Sequence, residues 1–335
     1  MKKIFLLILL QIMVSCSSVQ TLNMRPHTYQ KRPHHVIWLQ VAGLSEEHIA
    51  LMKFNVSNAN YKTYLEQMDC VGKTWSYNLF ELRPEATASF MSQMTGSKNL
   101  KNTCDDAQHH PVWSYFNKLR YRVSLIENAA TKEEELLKNS ECELNNQLDL
   151  ASLRYYRTGV DQKAQDVTFH YQDSPDQVAQ ILKEGVYTDR SCQKGQCFSS
   201  LSNNVIGLWN FNKKDENRTF TLIREFGFQK ALLKKDLSLV KESLQEIEKI
   251  LGYFANLNRE DILVVVSSAA GLPLEFPKQG AQWSEFEKSG KNLLYKNTSL
   301  LAPVFAKGAM AENFCGMFEE SEMLKRILYK KEEVQ

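Results

Sequence analysis

The stretch NTSLLAPVFAKGAMAENFCGMFEESEMLKRI, residues 297–327, is the longest segment of the chain that indicates a particular fold. Its short apolar run at 302–306 predicts a buried strand. Two earlier stretches contain similar apolar runs: VIWLQVAGLSEEHIA, residues 36–50, and DILVVVSSAAGLPLE, residues 261–275. A further stretch, RPEATASFMSQMTG, residues 83–96, predicts a loop that leads into a helix. Together these stretches predict that strands and helices follow one another along the chain.

This alternation extends over most of the sequence. Further strands are predicted at 122–126, 205–211 and 220–223, and helices at 45–52, 87–94, 131–138, 175–184 and 238–254. Strands that alternate with helices predict an α/β fold with a mostly parallel sheet and helices on both of its faces. In such sheets ligands bind at the carboxyl ends of the strands. We therefore expect a functional site among the residues that follow the predicted strands.

In their order and in their amino-acid sequences, the four stretches resemble the alkaline phosphatase family. The resemblance extends from about residue 36 to residue 327, with a poorly matched insert at about 131–204. It implies a three-layer α/β/α sandwich with a mostly parallel central sheet, and a domain at 35–330. It also implies where the metal ligands and the nucleophile of such a phosphatase would lie.

At those positions this chain has other residues. Ala42 occupies the position of an aspartate metal ligand, and Ala86 the position of the serine nucleophile. Ala269 and Ala270 replace an aspartate and a histidine ligand, and Asn297 replaces a further histidine ligand. The resemblance therefore implies a member of the family without its metal centre and without its nucleophile.

A fifth stretch, IREFGFQKALLK at 223–234, matches the family less securely. In this register Glu225 retains a glutamate that binds magnesium in the family, while Lys230 and Lys234 replace an aspartate and a histidine ligand. Glu225 alone is not expected to hold magnesium, because Ala42 would be its usual second ligand.

These replacements remove the chemistry of the family. Two-metal phosphoryl transfer needs cations that neutralise the phosphoryl oxygens, and zinc needs His, Asp, Glu or Cys at about 2 Å. No histidine occurs between Tyr171 and Gln335, so a small shift of register would not restore the ligands. We therefore expect no metal or other cofactor, and a catalytically inactive binding or scaffold protein. The alternative is a hydrolase with a relocated site that uses His109, His110 or Asp105.

A second alternative is a small-anion binding module. Apolar residues recur at spacings of four and three along a predicted helix, at Leu233, Leu237, Val240, Leu244, Ile247 and Leu251. Extending this stripe backwards reaches Lys230, with Lys234 one turn further on. This pattern predicts that both lysines face the cleft in which members of the family bind their metals, and that they give it a positive charge. The simpler interpretation is that both lie on a solvated face.

The start of the chain predicts export and lipid anchoring. Residues 1–15 have a charged start and an apolar core too short to span a bilayer, as in a lipoprotein signal peptide. In MVSC a small residue precedes Cys16, which predicts cleavage before Cys16 and acylation of its thiol. Residues 16–34 then form a tether, and the predicted location is the outer membrane facing the periplasm. An ordinary signal peptide is the alternative.

Composition adds two expectations. The net charge of +2 gives no reason to expect nucleic-acid binding. Six cysteines follow Cys16, and in an exported protein an even number favours disulfides, with 15 pairings open. Cys192 and Cys197 are the nearest pair and are predicted to form a disulfide. A zinc knuckle would need a second pair of ligands nearby. Cys315 is expected to be buried.

Overall fold

The computed structural model describes residues 32–54, 60–101, 106, 109–128, 136, 154–158, 200–213, 218–257, 259–278, 280–289 and 299–328. Within these ranges the chain forms one sheet of eight strands, in the order β4-β3-β5-β1-β6-β7-β2-β8. The strands are β1 His35–Ala42, β2 Cys70–Trp75, β3 Arg122–Asn128, β4 Arg154–Thr158, β5 Thr219–Glu225, β6 Ile262–Ala269, β7 Leu301–Gly308 and β8 Gly316–Glu319. Among these pairings, β7 is antiparallel to both of its neighbours and the rest are parallel.

Eight α-helices accompany the strands in the described ranges: α1 Glu47–Phe54, α2 Ala86–Thr95, α3 Val112–Lys118, α4 Leu201–Lys213, α5 Gly227–Leu233, α6 Leu237–Asn256, α7 Trp283–Ser289 and α8 Met323–Leu328. The longest helix, α6, begins at a cap in which the Asp236 carboxylate accepts a hydrogen bond from the Leu239 amide at 3.1 Å. None of the described helices is long and apolar enough to cross a membrane.

Two hydrophobic clusters cover the two faces of the sheet. Alternate residues of β1 point to opposite faces, so Ile37 joins one cluster with α4, α5 and α6, and Trp38 joins the other with α2, α3 and α8. All eight residues of β1 are buried, because β5 and β6 flank this strand and helices cover it on both sides. The predicted three-layer α/β/α sandwich is confirmed.

One predicted strand is wrong. Residues 205–211 form part of helix α4, not a strand. The buried residues Val205, Leu208, Trp209 and Asn212 recur at spacings of three, one and three, which is the pattern of a helix face. The helix predicted at 175–184 lies outside the described residues, as does all of the helix predicted at 131–138 except Leu136.

A disulfide joins Cys70 at the start of β2 to Cys315, immediately before β8. The expectation that Cys315 is simply buried is therefore wrong, because this residue is exposed and is bonded to a cysteine 245 positions away. Cys192 and Cys197 lie outside the described residues, so their pairing stays a prediction.

Candidate functional site

The four alanines at which the sequence resemblance places metal ligands and the nucleophile lie together at the carboxyl edge of the sheet. Ala42 ends β1 and is paired in register with Ala269, which ends β6. Ala270 follows, and Ala86 begins α2. All four belong to one small apolar cluster, and each is at most 4% exposed. The fifth position, Asn297, lies outside the described residues.

The backbone turns sharply at both strand ends. Gly43 has φ of 81° and Ala270 has φ of 48°, the left-handed region that side chains generally avoid. The Gly43 amide donates to the Ala269 carbonyl at 2.8 Å, and the Leu272 amide donates to the Gly43 carbonyl at 3.0 Å. These bonds tie the two turns together and fix the alanines at the centre of the cluster.

Two aromatic rings fill the space beside the alanines. Phe90 lies one helical turn after Ala86, and Phe226 follows the last residue of β5. Both side chains are fully buried, and their ring centroids are 5.2 Å apart in an edge-to-face arrangement. Where the resemblance implies metals and a nucleophile, the cluster therefore presents methyl groups and phenyl rings.

A buried ion pair lies next to these rings. Arg224 on β5 is in register with Glu127 on β3, and their side chains form a salt bridge. The guanidinium carbon lies 5.1 Å from the ring centroid of Phe226 and 5.9 Å from that of Phe90. The side chains of the pair are 2% and 0% exposed. A fixed positive charge, balanced by one carboxylate, thus adjoins the cluster of alanines and aromatic rings.

A polar network holds α2 against the sheet at the same edge. The Gln93 amide nitrogen donates to the Ser268 carbonyl at 2.9 Å, and the Gln93 amide oxygen accepts from Ser267 at 2.7 Å. The same oxygen accepts from Gln40 at 3.2 Å, and Trp38 donates to the Ser267 hydroxyl at 2.9 Å. These bonds stabilise the position of α2, and with it the position of Ala86.

Glu225, which the sequence resemblance matches to a magnesium-binding glutamate, has protein donors on both carboxylate oxygens. One oxygen accepts from the Asn128 amide at 2.6 Å, and the other accepts from the Phe228 amide at 2.9 Å. Gly227 makes this geometry feasible, since a Cβ there would lie 2.8 Å from both Asn128 and Glu225. In these contacts Glu225 satisfies an amide at the start of α5, a role that needs no cation.

The hypothesis that Lys230 and Lys234 face the cleft depends on one continuous helix from Lys230 to Leu251, which the structure contradicts. Helix α5 ends at Leu233, Lys235 has φ of 57°, and α6 begins only at Leu237. The apolar periodicity of α6 therefore cannot be extended back through α5, and Leu233 is 60% exposed. Lys234 is exposed and Lys230 is half-buried. Helical phase therefore does not place both lysines in the cleft, and that they give it a positive charge stays a prediction without this argument to support it.

The residues of this centre do not fit a two-metal site, because alanine and phenylalanine side chains offer no donor atoms. Over the described ranges, no group of three or more His, Cys, Asp or Glu residues is placed to hold a metal ion. His109 pairs instead with the Ser97 hydroxyl at 3.1 Å, and His110 is exposed. Asp105 lies outside the described residues.

Sequence reasoning located the alanines but missed the residues that surround them. Phe90, Phe226, Arg224 and Glu127 were all outside the predicted site. The available signal was a charge within an apolar strand, at Arg224 in TFTLIRE and at Glu127 in RVSLIEN. Such charges are almost never fully buried unless they are paired.

Solved structures with the same arrangement of elements are alkaline phosphatases. The enzyme from the Antarctic bacterium TAB5 matches with a TM-score of 0.62 and 17% identity, over 89% of this chain and 97% of that one. The enzyme from Thermus thermophilus matches with a TM-score of 0.64 and 11% identity, over 89% and 91% of the two chains. The enzyme from Shewanella sp. gives a TM-score of 0.58 and 11% identity, over 88% and 98%.

No family model and no curated protein sequence matches the chain. At these identities the likeness establishes the architecture, and the chain has the alkaline phosphatase fold. The resemblance noted in the sequence is thereby confirmed for the fold. Activity is a separate question, because it depends on the residues at the site.

Proposed function

We propose that this chain is a catalytically inactive protein of the alkaline phosphatase fold, anchored by lipid in the bacterial envelope, where it acts as a binding or scaffold protein. The observation that carries the proposal is the convergence of Ala42, Ala86, Ala269 and Ala270 in one buried cluster closed by aromatic rings. Losses scattered over the surface would leave room for a partial site. Because these four alanines lie together, their side chains leave this cluster without a metal ligand or a nucleophile.

Physical chemistry supports inactivity at this centre. A divalent cation would lose its water ligands and gain no donor atoms from alanine or phenylalanine side chains. The nearby Arg224 guanidinium has only N–H donors and its charge is balanced by Glu127, so it offers a cation no ligand atom. The Thr87 hydroxyl, one residue past the nucleophile position, is buried and hydrogen-bonds to none of the described residues, so none of them is placed to act as its general base.

Two observations support the location in the envelope. The MVSC sequence follows a signal-like apolar core, which is the pattern of a lipidated cysteine at Cys16. The Cys70–Cys315 disulfide suits an oxidising compartment such as the periplasm.

A metal and turnover assay tests the inactivity. The detergent-solubilised mature protein is expected to contain no stoichiometric zinc or magnesium and to hydrolyse neither phosphate monoesters nor diesters. Thr87→Ala and His109→Asn serve as matched variants, since a contaminating hydrolase would act equally in both preparations. Bound zinc, or chelator-sensitive turnover, would overturn the proposal. Turnover lost only in His109→Asn would instead establish a relocated hydrolase site.

Palmitate labelling tests the anchoring. Cys16→Ala is expected to abolish the label and to leave the precursor uncleaved by the lipoprotein peptidase. Cys192→Ala is the control and is expected to keep the label. If Cys16→Ala is still labelled, the anchor is not on this cysteine.

A further inference from the structure

The turn that leads from β2 towards α2 presents an exposed apolar tip. Leu79 is 67% exposed, Phe80 is 52% exposed and Leu82 is 77% exposed. Single exposed apolar residues are common on protein surfaces, but three within four consecutive positions form a patch that indicates an interaction surface.

The exposure of the tip is fixed by the backbone. Asn78 is only 6% exposed, and its side-chain oxygen accepts hydrogen bonds from the Phe80 amide at 2.8 Å and the Glu81 amide at 2.7 Å. The Asn78 amide donates to the Glu81 carbonyl at 3.0 Å, and the Leu79 amide donates to the Lys98 carbonyl at 3.1 Å. These hydrogen bonds preorganise the turn before any partner binds, and the turn holds the apolar side chains away from the core.

Charges of both signs surround the tip. Arg83 and Lys101 are positive, and the Lys101 ammonium lies 4.9 Å from the centroid of the Phe80 ring. Glu81 and Glu85 in the same turn are negative. Exposed apolar side chains with exposed charges of both signs beside them in the sequence suit the interface of a bilayer with zwitterionic headgroups, which carry both signs themselves.

We propose that this apolar tip inserts into the interfacial layer of a phospholipid bilayer. The inference rests on the proposed lipid anchor, which keeps the domain near such a surface. β2 is antiparallel to β7, which is antiparallel to β6, so the tip lies at the carboxyl edge of the sheet. The tether joins the opposite edge, before β1.

The tether is long enough for this orientation. Sixteen residue steps separate Cys16 from Arg32, which gives a maximum reach of roughly 53 Å at about 3.3 Å for each residue. The eight residues of β1 span only about 26 Å. The carboxyl edge, with the alanine cluster behind it, can therefore face the membrane while the lipid on Cys16 stays inserted.

Vesicle flotation tests the tip without its anchor. The mature chain, from residue 16 with Ser in place of Cys16, is mixed with vesicles of phosphatidylcholine alone and of phosphatidylethanolamine with phosphatidylglycerol. Leu79→Ser, Phe80→Ser and Leu82→Ser are combined in one variant. Leu233→Ser with Leu239→Ser is the matched control, since these exposed leucines lie on α5 and α6 at 60% and 43% exposure.

The unsubstituted chain is expected to float with both kinds of vesicle. The triple variant should bind on the order of a thousandfold more weakly, at about tenfold for each of the three apolar side chains withdrawn from the interface, and the control should bind like the unsubstituted chain. Raising the salt from 0.1 to 0.5 M should change binding by less than about threefold, because screening acts on charges and not on apolar insertion.

Several outcomes would overturn the inference: no flotation of the unsubstituted chain, equal flotation of the triple variant, or loss of binding in high salt. Concentration-dependent dimerisation that the triple variant abolishes would assign the tip to a second copy of the chain instead. None of these results bears on the metal and turnover assay, so the two proposals fail separately.

Discussion

Separating the buried ion pair should be among the costliest small changes in this protein. Arg224 and Glu127 are 2% and 0% exposed, and removing one member leaves the other charge buried without its counterion. Such orphaned charges cost about 3–5 kcal/mol. Glu127→Gln removes the charge but keeps an oxygen for the Leu136 amide, which donates to Glu127 at 3.1 Å. Arg224→Met keeps the apolar stem of the side chain.

The double variant separates the pair interaction from the cost of altering the site. With both charges gone, no ion remains buried, so the free energy of unfolding should fall by at least about 2 kcal/mol less than the sum of the two single losses. Urea titrations followed by circular dichroism and by tryptophan fluorescence measure this energy, and agreement between the two signals checks that unfolding is two-state. Lys249→Met is the control: its partner Glu246 lies 2.7 Å away, but the lysine is 62% exposed, so the loss should be below about 1 kcal/mol.

The reasoning fails if each single variant loses less than about 1 kcal/mol and the double variant is additive. That result would mean that water reaches the ion pair and that the adjoining cluster of alanines and aromatic rings is not closed to solvent.

Three further predictions concern single features of the fold. Burial raises the pKa of Glu320 from 4.5 to about 8, so the native state holds a proton that the unfolded chain releases, and stability should fall as pH rises from about 4.5 to about 8. The loss is at most about 5 kcal/mol; urea midpoints across this range should flatten in Glu320→Gln, and identical pH profiles would contradict the assignment. Gly227→Ala should lower stability by about 1–3 kcal/mol, because its Cβ would collide with the hydrogen bond that holds the start of α5. Gly207→Ala on α4, where nothing lies within 4 Å, should be neutral or stabilising, so equal melting temperatures in the two variants would refute the steric argument. Replacing Cys70 and Cys315 by Ser should cost on the order of 3–5 kcal/mol, because the bond closes a loop of 245 residues; non-reducing peptide mapping that finds both as free thiols would exclude the bond.

The central strands could be predicted from sequence because their environment is uniform. β1 and β6 are buried along their whole length and therefore appear as continuous apolar runs. β2 lies near the edge of the sheet, where its burial alternates, and it includes Gly72 and Lys73, so it gave no such signal. The misassigned segment, now α4, has short apolar spacing that suits either structure over a few residues.

The cluster of alanines could be predicted from sequence because each alanine lies beside a strand or helix with a recognisable sequence. The residues that fill the centre could not, because their roles depend on register between strands. Arg224 and Glu127 are 97 positions apart, and only the pairing of β5 with β3 brings them together. Phe90 and Phe226 similarly meet through packing and not through any spacing along the chain.

The disulfide also determines how the protein responds to proteases. Cys70 and Cys315 turn most of the chain into a covalent ring, which contains β2 to β7 and helices α2 to α7. A single cut anywhere within the ring leaves both fragments attached to each other, so the domain stays tied to its proposed lipid until the bond is reduced. A single cut in the tether, between residues 16 and 34, has the opposite effect, since it lies before β1 and releases the whole folded domain from the proposed lipid. Proteolytic shedding of this protein would therefore be controlled by the tether at residues 16–34.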